Sequence, residues 1–145
     1  MIRFTIIGEP ASKANSRKIV MKGKRPGIIK SDKAREYERS ALLQIPTEAK
    51  QMLQGKVRVS IVIYYANERS DLDASVILDV LQAKLGHNVR TKERVVIRKG
   101  VYLNDRQVRE MHFYHEIDRK NPRAEICVEP LDAELDLAFA KERHA

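Results

Sequence analysis

Apolar residues recur at every second position at two places in the chain, and each recurrence predicts a strand. Ile2, Phe4 and Ile6 interleave with Arg3 and Thr5 until Gly8 and Pro10 end the run, and Val57, Val59, Ile61 and Ile63 form the clearest strand of the sequence. Shorter runs predict strands over residues 18–21, 27–30, 95–97, 101–103, 111–117 and 124–128. The first two flank Lys22-Gly23-Lys24-Arg25-Pro26, which reads as a basic hairpin tip. The period changes after Ser31-Asp32, an N-cap for a helix running toward Gln44 with Ala34, Tyr37, Ala41 and Leu42 at helical spacing. Pro46-Thr47 interrupts it, and a second short helix is expected to reach Leu53 before Gly55. Val76, Ile77, Val80, Leu81 and Leu85 share one face of a helix expected over 74–85, stopped by Gly86. A C-terminal helix over 131–143 completes the pattern. These elements predict an α+β domain with a mixed β-sheet and helices packed mainly on one face, over residues 1–130, followed by an acidic helix or tail over 131–145.

At 145 residues, with 43% hydrophobic and 33% charged residues, the chain suits one soluble domain with a real core. The net charge of +8 is unevenly spread. Residues 12–39 hold ten Lys or Arg against three acids, residues 84–109 eight against two, and the stretch after Glu129 two against four. Two basic blocks in one small domain point to a nucleic acid, because neutralising phosphates releases counterions; a solvated basic surface is the plain alternative. Cys127 stands alone, which excludes an internal disulfide and a multi-cysteine zinc site. No apolar run approaches the roughly 20 residues that span a bilayer, and the N-terminus begins directly as strand without a signal peptide, so a cytoplasmic location and no membrane partner are expected.

The chain is basic overall, and the placement of some of its acids is informative. Asp71 and Asp73 lie two apart between the strand around Val57 and the helix around Val80. In extended backbone such residues share a face, so both carboxylates can point at one hard cation such as Mg²⁺. Either could instead cap the helix. Asp79 falls on the polar side of that helix with Ser75 and Gln82, as a solvated acid or an outer member of the cluster. Asp105, in Asn104-Asp105-Arg106, is a third candidate ligand, with Arg98, Lys99, Arg106 and Arg109 nearby in sequence; a plain hairpin turn before the strand around Met111 is the alternative. His87, His112, His115 and His144 have no ligand spacing, and no glycine-rich phosphate loop or nucleophilic serine motif is present.

Three stretches together resemble the RusA family of Holliday junction resolvases, found largely in phages and prophages. They are residues 8–17 (Gly-Glu-Pro-Ala-Ser-Lys-Ala-Asn-Ser-Arg), Asp71-Leu72-Asp73, and Leu103-Asn104-Asp105-Arg106-Gln107-Val108. The resemblance implies a homodimer acting in recombination, repair or phage DNA processing. It would nick four-way DNA junctions symmetrically, with Asp71, Asp73 and Asp105 as catalytic and metal-binding residues and Mg²⁺ as cofactor, Mn²⁺ substituting. Lys13, Arg17, Lys18, Lys22, Lys24, Arg25, Arg98, Lys99 and Arg106 are the expected DNA contacts. The chain departs from the family in two ways. Ala74 and Ile77 stand where the family has asparagine and a catalytic lysine, so Lys13, Lys84 or Lys99 would have to substitute, and the segment 87–99 is longer than the usual connection. A non-catalytic protein that binds branched DNA is the first alternative. A basic assembly or RNA-binding protein, in which the acids only cap and turn, is the second.

Overall fold

The computed structural model describes residues 1–12 and 15–131. Lys13 and the helix or tail expected after Leu131 lie outside the described residues.

Strand β4 (Val57–Tyr65) is the axis of the fold. Its period-two pattern buries Val57, Val59, Ile61, Ile63 and Tyr65 on one face and leaves Arg58, Ser60, Val62 and Tyr64 half-buried on the other. It pairs antiparallel with β8 (Arg123–Pro130) and parallel with β7 (Val108–Ile117), and β8 pairs antiparallel with β1 (Ile2–Ile7), which gives a mixed sheet in the order β1-β8-β4-β7. Helices α1 (Asp32–Gln44) and α2 (Ser75–Leu81) bury Ala34, Tyr37 and Ala41, and Val76, Ile77, Val80 and Leu81, in one core with the inward residues of β1, β4 and β8. Both helices therefore cover the same face. Ser31 caps α1 as expected, its hydroxyl accepting from the Ala34 N–H at 3.2 Å.

Two hairpins stand apart from this sheet. Strands β2 (Arg17–Lys22) and β3 (Arg25–Lys30) pair in register around the basic tip, where Gly23 takes the positive φ of 64° that a tight turn needs. Strands β5 (Lys84–His87) and β6 (Arg94–Arg98) form the second.

That second hairpin corrects the expected helix over 74–85, because α2 stops at Leu81 and Gln82 is already extended. The Val101 N–H donates to the Leu81 carbonyl at 2.7 Å and the Ala83 N–H to the Tyr102 carbonyl at 2.9 Å, so the chain leaves the helix to pair with residues 101–102. Gly100 permits the approach: a Cβ there would lie 2.4 Å from the Ala83 nitrogen. The strand expected over 101–103 is reduced to bridges from Tyr102 to Leu53 and Gln82. The helix expected to reach Leu53 is a single 3₁₀ turn, Thr47–Ala49.

Candidate acidic site

Tyr65 ends β4 fully buried, and the chain then runs through residues 66–74 to α2. Three side chains from three places in the fold hold this loop. Glu9, just past β1, accepts from the Ala66 N–H at 3.0 Å and from the Ser70 hydroxyl at 3.3 Å. The Tyr65 hydroxyl donates to the Asp71 carbonyl at 3.1 Å and accepts from the Asp73 N–H at 3.2 Å, bridging Leu72. His115, on β7, hydrogen-bonds through Nε2 to the Ser70 carbonyl at 2.9 Å, and its ring lies 4.6 Å from that of Tyr65. Burial pushes the Tyr65 hydroxyl above its ordinary pKa against the pull of the Asp73 N–H, and the charges of Asp73, Glu9 and Asp71 add to the rise.

The two acids of the loop are placed differently. Asp73 is half-buried, and its Oδ1 accepts from the Ser75 N–H at 2.9 Å in an Asx turn that leads into α2, whose N-cap is Ala74 without a side-chain cap bond. Asp71 is exposed, and its carboxylate makes no hydrogen bond or ion pair among the described residues. The backbone here is a loop outside any strand, tethered by these side chains.

Asp105 begins a 3₁₀ turn, Asp105–Gln107, in place of the plain hairpin turn that is the alternative expectation. Asn104 caps it, accepting from the Arg106 N–H, while the Gln107 side chain accepts from the Leu103 and Asn104 N–H groups and donates to the carbonyls of Leu53 and Gly55. Gln82, at the C-terminal end of α2, accepts from the Asp105 N–H at 3.1 Å. The Tyr102 hydroxyl donates to the Leu78 carbonyl and is driven up by burial, with Asp105 and Asp79 adding to the rise. The acids thus fall into two groups: Asp71 and Asp73 share the surroundings of Tyr65, and Asp79 and Asp105 share those of Tyr102.

Among the described residues, no group of three or more His, Cys, Asp or Glu side chains could hold a metal ion. Mg²⁺ does not require one, since it is commonly bound by one or two carboxylates with substrate phosphate and water filling the other positions. The donors at Asp71, which has both oxygens free of protein partners among the described residues, and at Asp73 suit that mode.

Of the expected DNA contacts, Arg17, Lys22, Lys24 and Arg25 are exposed on the β2–β3 hairpin, and Lys99 and Arg106 are exposed beyond the second hairpin. Lys18 is tied to Asp32 at 2.9 Å, and Arg98 is half-buried on β6 opposite Lys84. The first hairpin leads into α1 and the second follows α2. Lys30, at the end of β3, sits 3.6 Å from Asp79 and 2.8 Å from Glu38, and β5 follows the helix after Gln82 and Ala83.

Ile77 is fully buried in the core, so the position that the family resemblance assigns to a lysine faces no substrate here. Lys84 and Lys99 are exposed and pair with no acid among the described residues, whereas Lys30 reaches an acid of α2. The sequence pattern does not single out Glu9, Tyr65, His115, Gln82 or Lys30. Tyr65 carries one usable signal, as the last inward residue of the strand that delivers the acids.

No helix among the described residues is long and apolar enough to cross a membrane. A family model described as endodeoxyribonuclease RusA matches residues 8–129, which takes in the Glu9 anchor, both hairpins and all four aspartates around α2. No curated protein matches the chain.

Proposed function

Because the chain belongs to the RusA family of endodeoxyribonucleases, we propose that it resolves four-way DNA junctions by paired, metal-dependent nicks as a homodimer. The observation that carries this reading is the exposed Asp71 carboxylate, presented without a protein partner among the described residues by a tethered loop at the entrance to α2. Asp71 and Asp73 hold a divalent cation, which when bound supplies an activated water and neutralises charge at the scissile phosphate. Mg²⁺ is the proposed ion, with Mn²⁺ as its substitute. Asp105 is the proposed third carboxylate, from the other end of α2, and Gln82 fixes its backbone. Arg17, Lys22, Lys24 and Arg25 on one hairpin, with Lys99 and Arg106 near the other, grip the flanking phosphates and orient the junction without reading its sequence.

The second reading, a junction-binding protein without turnover, rests on Ile77, whose burial removes the family's lysine from the site. The two readings part in a single assay. A labelled synthetic four-way junction and a matched linear duplex are incubated with wild type and Asp71→Asn, in Mg²⁺ and in EDTA. Resolution predicts symmetric nicks that need Mg²⁺ and disappear in the variant; tight junction binding without cutting selects the second reading.

A further inference from the structure

We propose that Tyr65 and His115 are positioning residues for the cation held by Asp71 and Asp73, an inference that rests on the reading of those acids as metal ligands. The loop carrying the acids has no strand partner of its own, so its conformation is set by side chains that reach it from the sheet. The Tyr65 hydroxyl closes the loop at its critical point by hydrogen-bonding the backbone of both aspartates. Tyr65 is fully buried, so this hydroxyl is held by the core and moves only with it. The His115 ring lies against Tyr65 and reaches Ser70, one residue before Asp71. Since a carbonyl can only accept, His115 keeps a proton on Nε2 toward Ser70.

The consequence concerns affinity. Asp71 has no other protein partner among the described residues, so its carboxylate is directed only by its own backbone, which the Tyr65 clamp fixes. Freeing that backbone leaves both carboxylates present but unaligned, so the ordering cost must be met each time an ion binds. Supporting groups around metal ligands typically change affinity by about 10- to 100-fold when removed.

The test is Mn²⁺ binding to the intact chain, read by the loss of the free-ion electron paramagnetic resonance signal, together with amide hydrogen exchange at Asp73. Tyr65→Phe keeps the ring and removes the hydroxyl, and is expected to weaken Mn²⁺ binding about tenfold while Asp73 exchanges faster and the far-ultraviolet circular dichroism is unchanged. His115→Phe, which keeps a ring beside Tyr65 without the donor, is expected to weaken binding in the same direction. His115→Gln, whose amide can still donate to Ser70, is expected to restore it. If Asp73 exchanges faster in Tyr65→Phe but Mn²⁺ binds as in wild type, the positioning role is overturned and the acid site stands. If wild type and Asp71→Asn bind Mn²⁺ equally, the acid site itself is wrong and the positioning role falls with it.

Discussion

Single residues in this chain often serve two purposes, and the second is seldom visible in sequence. Asp73 both closes an Asx turn into α2 and is a candidate ligand, two kinds of role that sequence can only set side by side. Gln107, part of the family motif, works here as a structural staple, since its amide connects Leu103 and Asn104 to the carbonyls of Leu53 and Gly55. Gln107→Ala removes all four hydrogen bonds, while the Leu103 N–H keeps its 3.3 Å bond to the Leu53 carbonyl and the Asn104 and Gly55 groups are exposed to water, so urea denaturation should show a loss of about 1–2 kcal/mol. Ile77 teaches the opposite lesson. The family pattern suggests Ile77→Lys as a repair, but the side chain lies wholly inside the core. A lysine there buries an unpaired charge, and the substitution should cost at least about 3 kcal/mol in the same measurement without raising cleavage. The apolar stripe of Val76, Ile77, Val80 and Leu81 makes that inward direction legible in the sequence, whatever the motif spacing suggests.

At the scale of elements, the recurrence of apolar residues at every second position is the dependable signal. β4 appears where its pattern places it because each alternate residue faces the core. The helical pattern over 74–85 is less reliable, since Leu85 continues the apolar spacing yet remains 40% exposed once the chain turns off to pair with residues 101–102. That turn-off depends on hydrogen bonds between segments distant in sequence, which no local pattern contains. Gly100→Ala tests it. The new methyl would collide with the backbone of residues 81–83, which cannot move aside as a flexible side chain would, so a loss of about 1–3 kcal/mol is expected on urea denaturation. The connection between β7 and β8 carries a pH signature. Asp118 accepts from Arg123 and from the Lys120 and Asn121 N–H groups, and chiefly the Arg123 bond holds its carboxyl below the ordinary 3.8. A carboxyl depressed on folding adds stability above its unfolded value, and that stability is lost as pH falls through the folded one. Asp118→Asn should therefore narrow the difference between urea midpoints at about pH 3 and about pH 7; an unchanged difference would mean that the pair contributes nothing.

For the whole molecule, charge divides the surface by role. The outer sheet face is internally balanced, with Arg58 3.0 Å from Glu110 and 3.5 Å from Glu129, and Arg123 bound to Asp118 and Glu125. The β2–β3 hairpin instead exposes Arg17, Lys22, Lys24 and Arg25. If these cations meet phosphates, replacing Lys22, Lys24 and Arg25 with alanine should weaken junction binding and flatten its dependence on salt. The log–log slope should fall by roughly 0.9 for each phosphate no longer neutralised; an unchanged slope would place the DNA elsewhere. The basic blocks and the first hairpin are plain in the sequence, but the second hairpin is not, because the apolar spacing through Leu85 reads as helix. The central claim concerns the acids carried by the loop that enters α2, and cleavage of the four-way junction by wild type and Asp71→Asn, with and without Mg²⁺, tests it most directly. Symmetric nicks by wild type that require Mg²⁺, together with an Asp71→Asn variant that binds the junction but does not cut it, are the predicted result. Cutting by Asp71→Asn at the wild-type rate would contradict it.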